Sequence, residues 1–102
     1  MRKQVDPNQM SVDGDPAPLW SQEEAIAYEC AREYLSDVMG LYSQQLDGEE
    51  ARCDPKADHM DWLRAEIARL GELRRQLRVK DHKEVAEIRA VYGALWQRLV
   101  GK

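Results

Sequence analysis

Cysteine and histidine are scarce in this chain, two of each in 102 residues. The scarcity excludes a good deal of chemistry. Cys30 and Cys53 lie far apart and outside any Cys-x-x-Cys spacing. One disulfide is arithmetically allowed, but a lone pair with no apolar leader suits a reducing compartment, so two free thiols in a cytoplasmic protein are expected. His59 has Asp58 and Asp61 beside it, with no third strong ligand at helical spacing. An exposed histidine near a helix start is the simpler reading, and neither a metal nor another cofactor is expected. Long apolar runs are missing too. Nothing approaches the ~18 residues of a membrane span, and the opening MRKQVDPNQM has two bases but no apolar stretch of the kind that drives secretion. No glycine-rich phosphate loop and no nucleophile elbow occurs. The many carboxylates are not isolated in apolar surroundings, as a general acid requires. A small helical domain also offers little room for a deep pocket, and an enzyme is not expected.

What the chain does have is charge, at 33% of residues, and apolar residues at helical spacing. The net charge of −4 hides an asymmetry. Residues 21–54 carry nine acids and two bases, whereas residues 55–102 carry seven acids and eleven bases. Either the two halves attract each other on folding or the imbalance steers a partner.

Residues 1–19 hold Pro7, Pro16, Pro18, Gly14 and three aspartates with few apolar groups. Such a stretch buries too little to offset its ordering entropy, and a flexible N-terminal arm is expected. The pattern changes at Trp20. Ser21 followed by Glu24 is a capping box, with Trp20 before it as an apolar staple. Tyr28, Ala31, Leu35, Val38, Tyr42 and Leu46 then fall on one helical face. Asp47-Gly48 is a plausible stop, although Glu49-Glu50-Ala51-Arg52 can carry another turn, and Asp54-Pro55 reads as an N-cap followed by proline at the first helical position. Met60, Leu63, Ile67, Leu70, Leu73 and Leu77 make a second face; Val85, Ile88, Tyr92, Leu95 and Leu99 make a third, opened by Asp81 and Glu84 and closed by Gly101. No segment alternates as a strand does. The expectation is an all-α domain over residues 20–102, an antiparallel three-helix bundle with helices near 22–47, 56–78 and 82–100. Adding Ala27, Tyr34, Met39, Leu41, Trp62, Val91, Trp96 and Val100 widens each apolar sector enough for two neighbours. So small a core also admits a homodimer.

Some residues break the pattern. Arg74 falls inside the apolar sector of the second helix, and Glu24 inside that of the first. If the chain folds back near residue 51, the two stand about one turn apart, so either a structural Glu24–Arg74 ion pair forms or Arg74 snorkels to water. Glu29, Glu33 and Asp37 form an acidic ridge at i, i+4, i+8, and Gly40 continues it. Like charges at that spacing repel, and glycine weakens a helix interior. The ridge is either a plain solvated face or a contact for a protein partner. Arg75, Arg78, Lys80 and Lys83 crowd the turn between the second and third helices. They complement the helix dipole there, and alternatively grip phosphates, which makes a nucleic-acid accessory protein the second reading. The aromatic residues that a nucleic-acid reader stacks on bases lie instead on the apolar faces.

The stretch Leu19-Trp20-Ser21-Gln22-Glu23-Glu24-Ala25, with Tyr42-Ser43, Leu73-Arg74-Arg75-Gln76-Leu77 and Ile88-Arg89-Ala90-Val91-Tyr92-Gly93, resembles a group of small helical proteins encoded on integrative and conjugative elements of Gram-negative bacteria. The resemblance spans residues 19–93. It implies a cytoplasmic bacterial accessory protein and transfers no catalytic residue. The expected function is a non-catalytic protein–protein interaction or regulatory module.

Overall fold

A computed structural model of the chain describes residues 20–101. The expected flexible arm, residues 1–19, lies outside them. Three helices follow in order, α1 (Gln22–Glu50), α2 (Ala57–Gln76) and α3 (His82–Val100). There is no strand among the described residues.

The capping box forms as its spacing predicts. The Glu24 N–H donates to Ser21 Oγ at 3.1 Å, and the Ser21 N–H donates to Glu24 Oε1 at 2.7 Å. Two donors that the first turn would leave unpaired are thereby satisfied.

At the other end of α1 the chain takes the further turn through Glu49 and Glu50 rather than the earlier stop. Gly48 does not stop the helix, which runs to Glu50. The reason is tertiary. Glu49 is buried, and its carboxylate accepts the Lys56 N–H at 2.8 Å. Glu50 reaches Arg64 on α2 at 3.0 Å. The connection is therefore tied from both sides, and Asp54-Pro55 lies within it rather than capping α2. The N-cap of α2 is Lys56, whose side chain makes no capping bond. α2 also ends at Gln76, short of residue 78, because Leu77 turns extended and buries its side chain. At α3, Asp81 does take the N-cap position, but its carboxylate accepts the Arg78 N–H at 3.0 Å and makes no bond to the helix it precedes.

α2 runs back along α1, with Arg64 near one end and Gly71 against Met39 farther along. α3 returns parallel to α1, with His82 beside Glu24 and Gly93 against Tyr34. The core is Ala31, Leu35, Val38, Tyr42, Leu63, Leu70, Leu77, Val85 and Ile88, all on the expected faces. Burial raises the Tyr42 phenol above its ordinary pKa.

The wide sectors work out unevenly. α1 packs closely against both other helices, whereas the backbones of α2 and α3 stay farther from each other. A Cβ at Gly71 would make an ordinary contact with Met39, 3.4 Å away, whereas one at Gly93 would lie only 3.2 Å from the Tyr34 ring. The missing side chain at Gly93 lets α3 settle closely onto α1. At the outer edges Trp62 is 49% exposed and Val91 58%, so a broad apolar sector on α2 or α3 does not bring a second close neighbour. Arg69 pairs with Glu66 of its own helix. Its guanidinium is held above its ordinary value first by Glu66, 2.8 Å away, and then by the Tyr92 hydroxyl on α3.

Candidate interaction surface

α1 touches α2 and α3 with one side and turns the other outward. Glu29, Glu33, Asp37 and Gly40 all lie on that outer side and are exposed. The periodicity that buries Leu35 and Val38 places these four roughly opposite them. Nothing comes within 4 Å of a Cβ built on Gly40. The glycine therefore serves no close approach within the bundle. Two residues that the acidic pattern alone does not single out share this face. Ile26 is 60% exposed and Cys30 is half-buried. Their signal lay in the same helical period, one turn toward the N-terminus from Glu29 and Glu33.

The electrostatics divide α1 into ends and a middle. At its start Glu24 receives Lys80 Nζ at 3.4 Å and the His82 imidazole. At its finish Glu50 receives Arg64. The acidic and basic halves of the chain thus meet at the two ends of α1. Between them, Glu29 has only Arg32 of its own helix, 3.8 Å away, while Glu33 and Asp37 have no ion-pair partner among the described residues. Arg32 itself lies over the Tyr28 ring, 5.5 Å from its centroid.

The expected Glu24–Arg74 pair does not form. With Met39 beside Gly71 and Glu50 beside Arg64, Arg74 comes level with the stretch 36–40 of α1, roughly 18–24 Å along the helix from Glu24 at ~1.5 Å per residue. The fold-back falls later than residue 51 because Glu49 and Glu50 prolong α1. Arg74 is half-buried, and its Nε has no hydrogen-bond partner among the described residues. Glu24 instead joins the starts of α1 and α3. Its pKa is lowered first by the Ser21 backbone bond, which desolvation opposes, and further by His82 and then Lys80. A lowered carboxyl stabilises the fold above its unfolded pKa and loses that effect as the pH falls through the folded value. Glu24→Gln is accordingly expected to lower the melting temperature at pH 7, and by less at pH 3, below the ordinary carboxylate value. Thermal melts followed by circular dichroism at the two pH values check this.

The basic turn is only partly free. Arg75 pairs with Glu72, and Lys80 with Glu24; Arg78 and Lys83 have no ion-pair partner among the described residues. No aromatic ring stands between these bases in sequence. His59 is exposed and stacks on Trp62 with ring centroids 6.4 Å apart, and Trp62 meets Tyr42 edge-on at 5.4 Å. No group of three or more His, Cys, Asp or Glu residues able to hold a metal occurs among the described residues. Both cysteines are free. No described helix is long and apolar enough to cross a membrane.

Gly40 supplies a direct probe of this face. In open space, Gly40→Ala is expected to stabilise the isolated domain by about 0.5–1 kcal/mol through helix propensity alone, read as a higher urea midpoint with an unchanged m-value. Compared with family models, curated proteins and solved structures, the chain finds no match.

Proposed function

We propose that this protein is a non-catalytic interaction module, and that the outer face of α1 is its docking surface for a protein with a basic surface. The observation that carries the reading is the contrast within one helix. Glu24 and Glu50 are joined to bases of α2, α3 and the turn before it, whereas Glu33 and Asp37, with Gly40 beyond them, face outward without ion-pair partners among the described residues. Repulsion along the ridge and a glycine in mid-helix both weaken the free domain. A basic partner relieves the first, and a closely approaching one uses the second. Placement as a cytoplasmic accessory protein of a bacterial mobile element is a further part of the proposal, supported by the sequence resemblance alone.

Affinity capture from a bacterial lysate tests the reading, with nuclease added and the wild-type chain compared with a Glu29→Lys, Glu33→Lys, Asp37→Lys triple variant. The expected result is a protein retained after nuclease and reduced on the order of tenfold or more by the triple reversal. Retention that vanishes with nuclease, or that ignores the triple variant but is lost when Arg75, Arg78, Lys80 and Lys83 are reversed, overturns it in favour of nucleic-acid association.

A further inference from the structure

The chain enters the bundle across a surface that the three helices leave open. Trp20, the first described residue, lines a depression with Ala25, Tyr28, Glu29 and Val79. On the outer face of α1 a second depression adjoins it, where Ala25 and Glu29 are joined by Ile26 and Glu33. An apolar strip therefore runs from Trp20 around α1 to Ile26, bordered by Glu29 and Glu33. Trp20 is 44% exposed and Ile26 60%, a large apolar area for a domain with so small a core. The segment nearest to this strip is the one that arrives there, residues 1–19. Its charges are ordered along the sequence, with Arg2, Lys3 and Asp6 in the far part and Asp13 and Asp15 next to Trp20. Met10 and Val12 lie between the two groups.

We infer that residues 1–19 fold back on this strip and set Arg2 and Lys3 against Glu29 and Glu33, so that the chain's own arm competes with a foreign partner for the face. The inference rests on the reading of α1's outer face as a docking surface and adds its regulation. Length permits it. Lys3 stands seventeen residues before Trp20, and a flexible linker of that length has an r.m.s. span of about 20–25 Å. Glu29 and Glu33 stand nine and thirteen residues beyond Trp20, roughly 13–20 Å along a helix at ~1.5 Å per residue. A tethered contact forms most readily when linker and span match in this way, and the tether supplies an effective concentration on the order of millimolar. Even a contact with an intrinsic Kd of ~1 mM is then made about half of the time. The order of the charges fits as well. Asp13 and Asp15 meet the start of α1, where a helix favours negative charge and where Lys80, His82 and Lys83 gather at the start of α3. The distant bases meet the acids farther along, and Met10 and Val12 supply apolar side chains for Ile26. A contact this weak opens readily, so Glu29 and Glu33 stay exposed for much of the time and a partner of higher affinity displaces the arm.

Carbodiimide cross-linking of the full chain, read by mass spectrometry, tests the proposal. The reagent joins the Lys3 amine to carboxylates in direct contact with it. The comparison is with Glu84 and Glu87, exposed acids at the start of α3, each yield being normalised to labelling of the same carboxylate by a small free amine. Links from Lys3 to Glu29 and Glu33 are expected to exceed those to Glu84 and Glu87 on the order of tenfold, since the tether alone favours neither pair. They are expected to form within one chain when isotope-labelled and unlabelled copies are mixed, and to fall severalfold in Ile26→Ser. Circular dichroism confirms that this variant keeps its helices, and the wild-type links decide the matter should it lose them. Equal links to all four acids overturn the proposal, as do links chiefly between copies or a yield indifferent to Ile26→Ser. A chain without the Lys3 links that still captures a foreign protein through Glu29, Glu33 and Asp37 removes the arm and leaves the docking surface standing. Lys3 links in a chain that captures no protein keep the arm on the strip and remove the foreign partner. Loss of both removes both.

Discussion

Leu70→Ala is expected to destabilise the domain by about 3–4 kcal/mol, the range for emptying a fully enclosed leucine site. Leu70 has no exposed surface and is one of the four largest wholly buried side chains, with Leu35, Leu63 and Val38. These four come from α1 and α2 only, so the α1–α2 hairpin holds the tightest part of the core. The loss is a large fraction of the roughly 5–15 kcal/mol that separates folded from unfolded states in ordinary domains. Chemical denaturation followed by the helical signal measures it. Val91→Ala on α3 provides the contrast. Val91 is 58% exposed, and its truncation is expected to stay within about 0.5 kcal/mol.

Gly93→Leu is expected to cost about 3 kcal/mol or more, through overpacking rather than a cavity. A Cβ at this position already meets two ring atoms of Tyr34 at 3.2 Å. The larger side chain crowds the ring further, so either Tyr34 shifts or α3 lifts from α1. Because α3 has no comparably close neighbour in α2, lifting it exposes Val85 and Ile88. Gly40→Leu is the matched control, with the same chemical change in open space. It is expected to stabilise the domain slightly, since leucine exceeds glycine in helix propensity by roughly 0.8 kcal/mol. The opposite signs at two glycines of one bundle, read as urea midpoints, separate packing from propensity.

The core was legible in the sequence because burial follows the helical period, and Leu35, Val38, Leu63, Leu70, Val85 and Ile88 fall on that period without exception. The Ser21–Glu24 cap was legible because both its bonds are local. The register of α1 against α2 was not. It depends on the Glu49 carboxylate accepting the Lys56 N–H, a bond across the turn that no helical pattern announces. That one extra turn of α1 moves Arg74 away from Glu24 and gives Glu24 to Lys80 and His82. Asp81 was legible as the N-cap of α3, but the bond its carboxylate makes was not, since it accepts the Arg78 N–H of the preceding turn instead of one from the helix. The acidic ridge was legible as the side of α1 opposite the core. The exposed Ile26 beside it follows from the same period, but the acidic pattern alone does not single it out.

Carboxyl footprinting by mass spectrometry, with and without the captured partner bound, tests most directly whether α1's outer face is the docking surface. Glu29, Glu33 and Asp37 are exposed in the free chain, as are Asp58 and Asp61 at the start of α2. The expected result is labelling that falls at Glu29, Glu33 and Asp37 when the partner binds and stays unchanged at Asp58 and Asp61. Unchanged labelling along α1 in a partner-saturated sample contradicts the account.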